Sequence, residues 1–286
     1  MKRITTLLSI FLFAFVLQGQ TIIRNGSAIL RTYDANQPLN IDDECKVWLD
    51  GKDAGQFTLD GTYVDQWSCK GSLAAHVYNT NDDTTRPTYD AATGRVTFIS
   101  ANSTFLRSAA FASVLSQPNT IFVVYKITGN LTDLEVILSS TNNTYYELFY
   151  SRDNLFAIEA PIALSISNNT NDNIHVGLFN GASSEYWING ISEASGDVGA
   201  KPFNGVTLGH YYGAAFHANM ELMEVIIFNA DISDVDRDKI TGYLANKWSI
   251  TATTDFKGYV LYEIMWLILL LVPNVRRKEE EFKIAA

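Results

Sequence analysis

The sequence predicts an all-β fold: two antiparallel sheets packed as a sandwich, closed by one C-terminal helix at the sandwich edge. Three observations point there. From about residue 45 onward, short apolar or alternating segments recur between clusters of Asn, Gly, Asp, Ser and Thr, the pattern of many short strands joined by turns. The chain has 286 residues, 47% of them apolar, which suffices for one large β domain with a core between its sheets. A single capped, amphipathic stretch from Ser233 to Trp248 follows the last strand-like segment.

In chain order, residues 1–19 read as a secretory signal. Lys2 and Arg3 supply the positive start, Leu7 to Leu17 the apolar stretch, and Gly19 a small residue for cleavage,. Residues 20–44 are a polar leader, either a strand or a loose arm. Strands are then expected at Arg95 to Ser100, Thr120 to Ile127, Leu134 to Ser139, Tyr145 to Tyr150, Phe156 to Ile158, Ile174 to Phe179, Tyr186 to Ile188 and Glu224 to Phe228. Asn180-Gly181 and Asn189-Gly190 are turn dipeptides, and strand-like residues flank the second, which marks a hairpin,. In the helix, Ser233 is a good N-cap with Asp236 three residues on, as in a capping box. Ile240, Tyr243, Leu244 and Trp248 form one apolar stripe,.

Terminal hydrophobic helices complete the expected layout. Residues 256–273 are apolar apart from Lys257 and Glu263, and Arg276-Arg277-Lys278 follow within a charged tail, 274–286. The positive-inside rule makes this a membrane-spanning anchor. The rival readings are an apolar segment packed on the β domain or on a partner, and a sorting signal that is later removed.

Charge narrows the function classes. The net charge is −10, with no Lys/Arg-rich run inside the β region, and affinity for nucleic acid rests largely on neutralising phosphates. Nucleic acid is therefore not an expected partner. Cys45 and Cys69 are the two cysteines; in an exported chain an even pair predicts one disulfide.

Glu224-Val225-Ile226-Ile227-Phe228-Asn229, then Ile232-Ser233-Asp234 and Gly242-Tyr243-Leu244-Ala245-Asn246-Lys247-Trp248, resemble the closing segment of laminin-G-like, concanavalin A-like lectin/glucanase jelly rolls. Val47-Trp48-Leu49-Asp50, Val64-Asp65-Gln66-Trp67, Arg86-Pro87, Thr120 to Tyr125 and Thr207-Leu208-Gly209 resemble earlier parts of the same family. The resemblance spans 45–250. It implies a jelly-roll domain over those residues, with Trp48, Trp67, Trp187 and Trp248 at apolar positions and so in the core. No cofactor is expected, although relatives in this family often hold a structural calcium, for which Asp82-Asp83 and Asn171-Asp172-Asn173 could offer oxygens,. The segment Phe216 to Glu224 departs from the family pattern, being longer and lacking a glycine.

No catalytic constellation stands out. Glycosidases of this fold class carry two carboxylates on one strand face, and no strand here has that spacing. Asp231, Asp234, Asp236 and Asp238 crowd a helix start instead, where the dipole favours them. No enzyme activity is expected. Sugar recognition needs aromatic faces and a few polar groups, and two loop stretches supply them: His210-Tyr211-Tyr212, and Tyr145-Tyr146 after Asn142-Asn143. The expectation is a secreted or surface-anchored lectin-like module that binds glycan. The alternative is a structural or adhesive surface protein that contacts other proteins; a glycoside hydrolase is the least supported reading.

Overall fold

A computed structural model describes residues 21–24, 27–30, 45–79, 84–142, 144, 146–212 and 216–253. The predicted signal (1–19), the apolar segment 256–273 and the charged tail 274–286 lie outside the described residues. The chain divides into two units, Met1–Ile41 and Asp42–Ala286. Within the first, β1 (Thr21–Arg24) and β2 (Ser27–Leu30) pair as an antiparallel hairpin inside the leader.

The second unit is the β domain. Its strands are β3 (Cys45–Asp50), β4 (Phe57–Asp60), β5 (Tyr63–Trp67), β6 (Val77–Tyr78), β7 (Thr88–Asp90), β8 (Arg95–Phe98) and β9 (Leu106–Arg107). There follow β10 (Asn119–Ile127), β11 (Glu135–Ser139), β12 (Leu148–Arg152), β13 (Leu155–Glu159) and β14 (Ala163–Ser167). β15 (Asn173–Phe179), β16 (Ser184–Ile188), β17 (Ile191–Gly196), β18 (Thr207–Leu208) and β19 (Met220–Phe228) complete the set, and α1 (Asp234–Trp248) follows.

All these strand pairings are antiparallel, and they trace a ladder that rolls over into two layers. The front layer runs β3–β19–β10–β15–β16–β17. The back layer runs β6–β9–β18–β11–β12–β13–β14. The corner between them is made by β8, β7 and β5: β8 pairs with the first half of β19 while β3 pairs with the second half. This is the jelly-roll sandwich that the strand pattern predicts. Asn189 and Gly190 both have positive φ, 50° and 80°, in the predicted hairpin between β16 and β17, the conformation a tight two-residue turn requires.

Side chains alternate across each strand, and the centre of the front layer, β10 and β19, is buried on both faces. Ile121, Val123, Tyr125 and Ile127 of β10 face the sandwich core with Val225 and Ile227 of β19. Phe122, Val124, Ile226 and Phe228 are equally buried yet lie outside that core. They point to the opposite face, which α1 covers. Hence β10 and β19 read as continuous apolar runs instead of alternating ones.

The helix starts where the sequence predicts: the Ser233 side chain accepts the N–H of Asp236, which satisfies one orphan donor of the first turn. Its buried stripe of Ile240, Tyr243, Leu244 and Trp248 seats on the front layer around a buried carboxylate. Glu224 of β19 accepts the indole N–H of Trp48 at 2.9 Å and of Trp248 at 2.7 Å, and Lys247 Nζ lies 2.8 Å from it. Lys247 also contacts Asp50 of β3, which Lys70 reaches at 3.1 Å. Burial pushes the Glu224 carboxyl up, and the Lys247 ammonium opposes it. All four tryptophans expected in the core are buried, but of these only Trp67 lies in the sandwich core; Trp48, Trp187 and Trp248 are buried outside it.

The disulfide predicted between Cys45 and Cys69 is not formed; both are free thiols. Each sulfur has a backbone partner. The Cys45 thiol lies 3.6 Å from the Val47 carbonyl, while Cys69 Sγ accepts the N–H groups of Trp48 and Gly71, each at 3.3 Å. Burial raises the Cys45 thiol to about 12 and moves Cys69 the same way.

Candidate functional site

The back layer carries the candidate site on the face turned away from the core. Leu106, Phe149 and Ile158 point into the core, so their strand neighbours Arg107, Tyr150 and Glu159 point outward. Above them runs the connection from β18 to β19, which contains His210, Tyr211 and Tyr212. Its base is pinched: Gly209 N–H donates to the Ile137 carbonyl at 3.0 Å and the Gly209 carbonyl accepts from Ala218 N–H at 2.8 Å. Gly209 has φ +83°, and a Cβ there would stand 2.4 Å from the Phe98 ring. Only glycine fits that pinch. The Ser139 hydroxyl then holds the His210 carbonyl at 3.0 Å.

Two groups of side chains meet along this face. In the first, Tyr146 and Tyr211 pack edge to face with centroids 5.8 Å apart, a favoured aromatic geometry. The Tyr146 hydroxyl donates to Glu159 Oε1 at 2.7 Å, and Tyr150 shares the same carboxylate. Burial, then the Glu159 contact, pushes the Tyr146 phenol up, and burial does the same for Tyr150 and Tyr211. All three stay protonated and able to donate. Both Tyr146 and Tyr211 are half-buried, so each ring is fixed while part of it meets solvent.

In the second group, Arg107 Nη2 lies 2.7 Å from His210 Nε2. A guanidinium only donates, so Nε2 accepts and Nδ1 carries the proton, which it gives to the Tyr211 carbonyl. The Arg107 guanidinium sits over the rings of Tyr212, at 4.9 Å, and Phe105, at 5.5 Å. His217 stacks on His210 at 5.0 Å, and burial lowers the His217 ring's affinity for a proton.

The structure thus brings His210, Tyr211, Tyr212 and Tyr146 into one neighbourhood, although Tyr146 is far from the others in sequence. Tyr145 lies outside the described residues. Arg107, Glu159, Tyr150, Phe105 and His217 join the site without having been singled out from the sequence. No local signal marks Glu159 or Tyr150, since β12 and β13 do not alternate between apolar and polar residues.

The oxygens considered for calcium are placed differently. Asp82-Asp83 lie outside the described residues. Asp172 takes both terminal nitrogens of Arg95, at 3.0 and 2.6 Å, and Asn173 bonds Asn169, Asn171 and Asn189. Among the described residues no group of three or more His, Cys, Asp or Glu side chains is gathered as a metal site would need. Elsewhere, a depression of about 250 Å³ opens at the corner of the ladder, lined by Tyr63, Thr88, Thr97, Asn102 and Arg86 among others. Arg86 is there bound to Asp65 and Asp60. Among the described residues no helix is long and apolar enough to cross a membrane.

No family model matches the sequence, and no curated protein does; the laminin-G-like resemblance therefore gains no support from a family match. Solved structures do match the fold. Trypanosoma rangeli sialidase aligns at 10% identity with a TM-score of 0.50, over 79% of this chain and 35% of that one. The binding domain of botulinum neurotoxin serotype D/C aligns at 12% identity with a TM-score of 0.52, over 71% of this chain and 52% of that one. The chain thus spans about a third to a half of the solved chains it matches. At these identities the likeness is one of fold: the β domain is similar to the β-sandwich of those proteins.

Proposed function

We propose that this protein is a non-catalytic, lectin-like module that binds glycan on the outer face of its back layer. The observation that carries the reading is the Tyr146–Tyr211 pair. Two rings from distant segments are held at 5.8 Å, with Glu159 fixing one of them from below. An ordered, half-exposed aromatic corner offers its faces to the apolar side of a sugar ring, and phenols and a carboxylate offer partners for hydroxyls. Apolar contact with a few placed polar groups is the usual composition of small-ligand sites. The likeness in fold to a sialidase and to a neurotoxin binding domain supports the reading without extending to ligand or activity.

A hydrolase would require two carboxylates flanking one bond. In this patch Glu159 is the carboxylate in contact, and its Oε1 is committed to the Tyr146 phenol. The export signal and C-terminal anchor read from the sequence fit a module displayed outside the cell. The test is a glycan array probed with the full-length chain and with a Tyr146→Ala/Tyr211→Ala variant. Binding by the wild type and loss of at least about tenfold in the variant, at unchanged melting temperature, is the expected result. Each stacked aromatic is worth about 1 kcal/mol or more, so two together exceed that factor. A wild type that ignores every glycan but adheres to a protein surface would favour the adhesive reading instead.

A further inference from the structure

Arg107 stands apart from the other arginines whose side chains are described. Arg86 binds Asp60 and Asp65, Arg95 binds Asp172 and Glu221, Arg152 binds Asp153, and Arg237 binds Asp234. Among the described residues Arg107 has no carboxylate within ion-pair distance. Its neighbours are a neutral histidine and two aromatic rings, and its Nε is buried without a partner. Burial weakens its hold on its proton, opposed by the Tyr212 side chain and by no carboxylate.

In a chain with a net charge of −10, an unneutralised, half-buried cation is unexpected. A desolvated charge is costly unless something pairs with it, and a planar guanidinium matches a carboxylate or sulfate in fork geometry. The His210 contact occupies Nη2 and fixes the plane of the group, while Tyr212 and Phe105 flank its sides. The Tyr211 carbonyl that receives the His210 proton belongs to the same residue whose ring packs on Tyr146, so the cation and the aromatic corner share one loop.

We infer that Arg107 receives the anionic group of an acidic sugar, making the ligand class a carboxylate- or sulfate-bearing glycan and not a neutral one. This inference rests on the glycan-binding reading of the same face. The corner depression makes the contrast: its Arg86 is already neutralised by two aspartates, so it offers an anion nothing.

The experiment is an array carrying neutral oligosaccharides, lactose among them, beside sialylated, uronic-acid-containing and sulfated counterparts. It is probed with the full-length chain, Arg107→Gln, and Arg237→Gln as a control of equal charge change at a paired arginine on α1, away from this face. The expected result is a preference for acidic over neutral members that Arg107→Gln lowers roughly 10–100-fold, the worth of a hydrogen bond to a charged group. Arg237→Gln should leave it unchanged, and the sialylated and sulfated arms identify which anion is taken. In the wild type, added salt should weaken binding of acidic glycans and spare any neutral one, a readout that needs no variant to fold. Equal binding of neutral and acidic members, or a preference that survives in Arg107→Gln, overturns the inference and leaves glycan binding standing. A wild type that binds no glycan overturns both.

Discussion

His175 is wholly buried in the sandwich, stacked on Tyr125 at 4.2 Å with Nδ1 2.8 Å from the Tyr186 hydroxyl. Burial lowers its pKa from 6.5 to about 3. The unfolded chain therefore binds a proton below about pH 6.5 that the folded chain refuses. The neutral ring's contribution is complete above that pH and is lost as pH falls toward 3. Between pH 7 and pH 5 this amounts to about 2 kcal/mol. Buried Glu147 and Glu135 have raised pKa values and act in the opposite sense, favouring the fold as pH falls, so the wild-type profile is a mixture. A His175→Phe variant isolates the ring: whatever its stability at pH 7, it should lose about 2 kcal/mol less than wild type on going to pH 5, measured by urea unfolding. Parallel profiles would show that His175 is not what titrates. A second residue-scale expectation concerns Trp248, which is 7% exposed and donates its indole N–H to Glu224. Trp248→Ala should cost about 3–5 kcal/mol, read as a lowered urea midpoint. The sequence announces Trp248 through its helical spacing. It does not announce Arg107 or Glu159, because their meaning comes from partners across the fold: Arg107 meets His210, 103 positions away, and no local pattern encodes that.

The helix α1 is the element most dependent on a single side chain. Lys247 lies between Asp50 and Glu224, whose side chains are 5% and 0% exposed. Removing one partner of such a group leaves buried charge uncompensated. Lys247→Met should therefore cost about 3–5 kcal/mol despite its added apolarity. Replacing Glu224 in the same chain by Gln should recover part of the loss, since the charge is removed while the amide oxygen still accepts from one of the two indoles,. Guanidinium unfolding of the single and double variants gives the coupling; additive losses would mean that the two side chains act independently. The start, cap and apolar stripe of α1 were legible because each is a local, helical-period feature. The surface beneath it was legible only in part. Val225 to Phe228 read as a buried strand, but Glu224 gave no reason for a carboxylate there until Trp48, 176 positions away, was seen to donate to it. The predicted disulfide failed for a similar reason. An even cysteine count says nothing about where each sulfur points, and here each sulfur meets the backbone.

For the whole molecule, β19 decides how the parts depend on one another. Along one edge it pairs with β10 throughout; along the other, Met220–Leu222 pair with β8 and Glu224–Phe228 with β3. The ladder to the back layer therefore begins on the strand that also carries the carboxylate under α1. The strand pattern made the sandwich legible, since apolar runs and turn dipeptides are short-range signals. The layer order was not, because β3, β8 and β10 reach β19 across about ninety residues of chain or more. Such sharing predicts one cooperative unfolding transition for the β domain. Far-UV circular dichroism reports the strands and helix, and tryptophan fluorescence reports Trp67 in the core together with Trp48, Trp187 and Trp248 on the other face. The two signals should give the same urea midpoint in wild type. In Lys247→Met both should move together, because releasing α1 exposes a face of the strand on which both layers depend. A fluorescence midpoint that falls while the circular dichroism midpoint stays would mean that α1 detaches from a sandwich able to stand without it.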